Sequence, residues 1–146
     1  MATAESFFTD EEVTKIMQAV KQAERKTSGE IRVHIESKAG DGEVMDRAAN
    51  VFAMLELHRT RLRNGVLFYL AIEDRKFAIL GDSGINAVVP DNFWDGIKEK
   101  MISHFRKGEF TEGMIQGINM AGDKLVEKFP YMRDDVNELP DEVSFA

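Results

Sequence analysis

The chain contains no cysteine, so disulfide staples, thiol nucleophiles and zinc–thiolate sites are excluded and a reducing compartment is allowed. It also lacks an excess of positive charge: 19 Lys and Arg stand against 26 Asp and Glu, a formal net charge of −7. Broad contact with nucleic acid or an anionic membrane needs a basic surface that displaces counterions, so neither partner is expected. The longest apolar run, Gly65-Val66-Leu67-Phe68-Tyr69-Leu70-Ala71-Ile72, falls far short of the roughly 20 residues that cross a bilayer. Residues 1–8 show no basic stretch leading into an apolar run and a small-residue cleavage site, so no export signal is read and the expected location is the cytoplasm. Neither an internal repeat nor a low-complexity stretch is visible.

What is present describes one domain. At 146 residues, 43% hydrophobic and 31% charged, the chain is long enough for one core and too apolar for disorder. Thr9 followed by Glu12 reads as a capping box, and Val13, Ile16, Met17, Val20 and Ala23 recur at helical spacing until Thr27-Ser28-Gly29 supplies a stop. From Glu30 the period changes to two. Ile31, Val33 and Ile35 share one face and Arg32, His34 and Glu36 the other, the pattern of a half-covered strand. After the Lys38-Ala39-Gly40-Asp41-Gly42 loop, Val44, Met45, Ala48, Ala49, Phe52 and Leu55 outline a second helix.

The apolar run from Gly65 predicts a central strand covered on both faces. Glu73-Asp74-Arg75-Lys76 turns it into Phe77-Ala78-Ile79-Leu80, making a hairpin that Gly81-Asp82-Ser83-Gly84 breaks. Asp91 is suited to cap a helix running to about residue 104, and Thr111 marks a last long helix. The expected fold class is therefore α/β, a single-domain sandwich in which helices pack on a mixed sheet with a right-handed crossover between its first two strands. Residues 1–8 are expected as an N-terminal extension, 9–128 as the domain, and 129–146 as a loosely packed acidic extension carrying Asp134, Asp135, Glu138, Asp141 and Glu142.

Gly81-Asp82-Ser83-Gly84 matches the GDSG around a protease serine, yet a triad needs a histidine oriented by a carboxylate, and the four residues are read as a turn. His34, His58 and His104 are too scattered to form a ligand pair and are expected at the surface or its boundary. The methionines read as core filler. Phe105-Arg106-Lys107-Gly108-Glu109-Phe110 reads as a connector between helices, because an acidic chain disfavours nucleic-acid stacking. The acidic set is the site candidate: Asp82 follows a strand's carboxyl end, Asp91 and Asp95 lie at a helix start, and Glu30 opens the first strand. Open α/β sheets place ligands outside strand carboxyl ends, and oxygen-rich loops suit hard cations such as calcium and magnesium. Capping alone also accounts for Asp91, and the helix dipole for Asp95.

Ser28-Gly29-Glu30-Ile31-Arg32-Val33, Arg63-Asn64-Gly65-Val66-Leu67-Phe68-Tyr69-Leu70, Asp74-Arg75-Lys76-Phe77-Ala78-Ile79, Val89-Pro90-Asp91 and Gly108-Glu109-Phe110 resemble, in that order, the successive blocks of the TPM domain. The resemblance implies a mixed αβ sandwich, an association with divalent cations, an accessory or regulatory role and, in some members, acid phosphatase activity. It puts Asp91 where family members carry an acidic residue after the hairpin, whereas many have an aromatic residue at the position of Asp82. Three functions follow as expectations. The first is a calcium- or magnesium-binding accessory domain using Asp82, Asp91, Asp95 and Glu30. The alternatives are a weak metal-dependent phosphomonoester hydrolase, and a metal-independent module that docks a protein partner.

Overall fold

The computed structural model describes residues 4–131 and 143–145. A single turn, α1 (Ala4–Phe7), leads into α2 (Asp10–Glu24). The capping box forms as the sequence predicts: Glu12 N donates to the Thr9 hydroxyl at 3.1 Å, and Thr9 N to the Glu12 carboxylate at 3.0 Å. β1 (Glu30–Glu36) follows, then α3 (Val44–Met54), β2 (Gly65–Ala71) and β3 (Lys76–Gly81). A short α4 (Ser83–Asn86), the pair α5 (Asp95–Phe105) and α6 (Phe110–Leu125), and a two-residue β4 (Ser144–Phe145) complete the order.

The sheet order is β3-β2-β1-β4. β1 runs parallel to β2, with Glu30 opposite Gly65 and Glu36 opposite Ala71. β3 returns antiparallel, with Val66 opposite Gly81. Strand alternation then divides the core into two layers. Ile31, Val33, Ile35, Val66, Phe68, Leu70 and Ile79 meet Ile16, Val20, Ile97, Met101, Ile118 and Leu125 of α2, α5 and α6. On the other face Leu67, Tyr69, Ala71 and Ala78 meet Ala48, Val51 and Phe52 of α3. The result is the mixed αβ sandwich expected. Each fully buried large aliphatic side chain contributes about 1.5–3 kcal/mol, so the first layer carries most of the driving force.

Small residues set how closely the layers approach. A Cβ on Gly122 of α6 would lie 2.8 Å from Ala23 Cβ of α2, and one on Gly117 would lie 2.5 Å from Met101 Sδ of α5. Gly65 opens β2 against backbone, since a Cβ there would sit 2.7 Å from Leu57 O.

Four local expectations are corrected. β1 is buried along its whole length, Arg32, His34 and Glu36 included; Glu36 finds its partner on α3 and His34 on β4. Asp91 does not cap α5: it lies in an exposed turn, and the helix begins at Asp95 with Trp94 as its cap residue. Phe8 of the expected N-terminal extension is 4% exposed within the main core, as is Phe129 at 8%. The chain end is not loosely attached throughout, because Ser144 and Phe145 pair with His34 and Ile35. Asp134, Asp135, Glu138, Asp141 and Glu142 lie outside the described residues.

Gly65→Ala should cost about 1–3 kcal/mol, since the clash is with a carbonyl that cannot rotate away. A urea midpoint equal to that of the unsubstituted protein would contradict this packing.

Candidate functional site

The antiparallel direction of β3 decides where the predicted carboxylates go. Its carboxyl end lies beside the amino ends of β1 and β2, as two hydrogen bonds record: Asp82 N donates to Gly65 O at 2.9 Å and Glu30 N to Asn64 O at 3.2 Å. Asp82 and Glu30 thus flank the start of β2, at the end of the parallel pair opposite to the one where ligands usually bind. Asp82 is already engaged. Arg63 Nε and Nη2 donate to its two oxygens at 2.7 and 3.0 Å, and Ser83 N donates to Oδ1 at 2.8 Å. That carboxylate raises the Arg63 pKa. Asp91 and Asp95 are exposed. Among the described residues no three His, Asp or Glu side chains come close enough to hold a metal ion.

This end is a structural brace. The buried Asn64 donates from Nδ2 to Ser28 Oγ at 3.4 Å, and its N–H donates to Thr60 Oγ1 at 3.1 Å. Ser28 N donates to Phe129 O at 2.9 Å, and Thr27 Oγ1 to the same carbonyl. Ser28-Gly29-Glu30 and Arg63-Asn64-Gly65 are therefore brought together to close the loops around the strand starts.

The opposite end holds a constellation that sequence reading missed. Glu36, 3% exposed, accepts from Arg47 Nε at 2.7 Å and Nη2 at 2.8 Å, and from the Tyr69 hydroxyl. Burial alone would push Glu36 up, but the hydrogen bonds from Arg47 and Tyr69 and the Arg47 charge hold it down at about 2. Glu36 in turn raises Arg47, and burial followed by the Glu36 carboxylate raises Tyr69. His34 of β1 faces Ser144 of β4: Nδ1 is 2.7 Å from Ser144 Oγ and Nε2 is 3.4 Å from Glu36 Oε1. Burial pushes His34 down, against the pull of Glu36 and with the push of the Arg47 and Arg32 charges.

In the neutral ring Nε2–H faces Glu36 and Nδ1 accepts the Ser144 hydroxyl hydrogen. In the imidazolium Nδ1 donates instead, and Ser144 turns its hydrogen to Val33 O, 3.2 Å away. The surface histidine read from the sequence is thus a buried one. The available signal was the alternation Glu30, Arg32, His34, Glu36 on one strand face, which can also mean a charged row buried by mutual pairing.

The loops leaving this end are tied to each other. Ile72 N donates to Glu36 O at 3.0 Å, Glu73 N to Ser37 O at 2.8 Å, and Ala39 N to Asp74 Oδ2 at 2.7 Å. Asp41, Glu43, Glu73 and Asp74 lie in these loops, with Lys38 Nζ 4.0 Å from Glu73.

A family model for the TPM domain matches residues 2–124. The NMR structure of BA42 protein from the psychrophilic bacterium Bizionia argentinensis is 45% identical, with a TM-score of 0.92 and both chains covered in full. Two N-terminal domains share the fold at lower identity. That of a protein from P. gingivalis is 20% identical, with a TM-score of 0.65, covering 86% of this chain and 82% of that one. That of a protein from Corynebacterium glutamicum is 14% identical, with a TM-score of 0.60, covering 94% and 80%. No curated protein matches the chain. No helix among the described residues is long and apolar enough to cross a membrane.

Glu36 has a folded pKa of about 2 against an ordinary 4.5, so its stabilisation is full above about pH 4.5 and is lost as pH falls toward 2. His34, held below 6.5, acts in the same direction, because the unfolded chain takes up its proton first. Glu36→Gln should cost about 2–4 kcal/mol at pH 7 by leaving Arg47 without its partner, and should flatten the acid limb of stability against pH. Parallel limbs in urea unfolding would show that Glu36 is not the titrating anchor.

Proposed function

The chain belongs to the TPM-domain family, and from that premise we propose that it is a divalent-cation-binding accessory domain, taking calcium or magnesium at the loops that leave the carboxyl ends of β1 and β2. The reading is carried by the Ala39 N–H to Asp74 hydrogen bond of 2.7 Å, which joins two loops bearing Asp41, Glu43, Glu73 and Asp74 on a chain of net charge −7. These four residues would supply the carboxylate oxygens. A bound cation would offset their mutual repulsion and draw the loops together, a change suited to an accessory or regulatory part. Lys38, exposed and 4.0 Å from Glu73, is readily displaced.

A second position at Asp82, Asp91, Asp95 and Glu30 is favoured by exposed Asp91 and Asp95, neither of which has an ion pair among the described residues. Against it, a cation at Asp82 competes with the Arg63 guanidinium. Phosphomonoester hydrolysis is the weaker reading, because Glu36 and Asp82 already have their oxygens engaged by Arg47, Tyr69 and Arg63.

Calcium and magnesium titrations followed by backbone amide NMR should give saturable shifts in residues 37–43 and 72–75, with a rise in melting temperature. Asp74→Asn should remove these shifts and Asp82→Asn should leave them. Shifts confined to residues 82–95 and lost in Asp91→Asn would move the cation to the second position. No shifts and an unchanged melting temperature would reject cation binding.

A further inference from the structure

The connector between α5 and α6 is more than a turn. Phe105 and Phe110 stack across it with centroids 5.4 Å apart, and Phe77 of β3 meets Phe105 edge-on at 5.2 Å. Gly108, at φ 77°, makes the reversal. Phe105 is backed by Gly113, where a Cβ would lie 2.5 Å from its ring. The three half-buried rings floor a hollow of about 560 Å³ that opens beside the β2–β3 hairpin, within the size range of ligand sites. Its rim carries Arg75, Lys76 and Arg106, and no carboxylate lines it. None of these three, nor the adjacent Lys107, has an ion pair among the described residues. On a chain of net charge −7, this is a concentrated basic patch over an aromatic floor.

A second hollow of about 450 Å³ shares Gly108 and Phe110 with the first. The two adjoin at the connector between α5 and α6. The second hollow carries Glu12, Glu109, Glu112 and a single Lys15, so its negative charge confines an acidic segment to the first hollow.

We propose that the first hollow docks a short acidic peptide segment of a partner protein, with an aromatic or aliphatic anchor on Phe77, Phe105 and Phe110 and flanking carboxylates on Arg75, Lys76 and Arg106. Fixed aromatic rings supply affinity, and the cationic rim selects charge and orientation. The site is independent of any cation at the neighbouring loops.

The test is an amide NMR titration in EDTA with the peptide Asp-Glu-Phe-Leu-Asp-Glu. Its charge-reversed counterpart Lys-Arg-Phe-Leu-Lys-Arg and dodecanoate serve as comparison ligands. The acidic peptide should give saturable shifts in residues 75–77 and 102–110, with a dissociation constant on the order of 100 μM that weakens with salt. The exposed double substitution Arg75→Glu with Arg106→Glu should keep the folded spectrum and weaken binding about tenfold. No saturation by about 1 mM peptide, roughly tenfold above the expected dissociation constant, would overturn the proposal. Equal binding of the basic peptide, an unaffected double variant, or a response to dodecanoate alone would overturn it too.

Discussion

The ion pair of Glu36 with Arg47 is the constraint on which the working end of the molecule depends. A carboxylate 3% exposed is tolerable only when its oxygens are filled, and here Arg47 of α3 and Tyr69 of β2 fill them. Through His34 and Ser144 the same cluster reaches β4, and the Glu36 carbonyl receives Ile72 of the hairpin. One strand end therefore fixes a helix, a neighbouring strand, the sheet edge and a loop. The energy for keeping it in place comes from the opposite face, where apolar residues of β1 and β2 pack under α2, α5 and α6.

That arrangement gives the two ends of the sheet different tasks. At the amino ends of β1 and β2, Asp82 is neutralised by Arg63, and Asn64 binds both Ser28 and Thr60, so polar side chains are spent on closing loops. At the carboxyl ends, the loops carry Asp41, Glu43, Glu73 and Asp74, and the aromatic hollow with its basic rim lies beside the hairpin. The cation site and the peptide site proposed there use separate residues.

Much of the fold was legible because periodicity and capping are local. Thr9 and Glu12 announced α2, the run from Gly65 announced a strand buried on both sides, and the turn at Asp74 announced the hairpin. The site was less legible because it depends on strand direction and on distant partners. Reading Asp82 as a ligand position assumed that its strand ended where parallel strands end, and β3 runs the other way. Reading His34 as a boundary residue assumed that a polar strand face is a wet one, whereas Arg47 lies 11 residues beyond Glu36 and Ser144 lies 110 beyond His34. β4 gave no signal at all, since a two-residue strand has no period to detect.

The central claim, that the carboxyl ends of β1 and β2 form the ligand-binding end, is tested most directly by paramagnetic manganese in place of calcium or magnesium, mapping the amide signals that broaden. The account predicts broadening centred on Asp41, Glu43, Glu73 and Asp74, with Asp82 and Arg63 spared. Broadening centred on Asp82, Asp91 and Asp95, or none above that of free ion in solution, would contradict it.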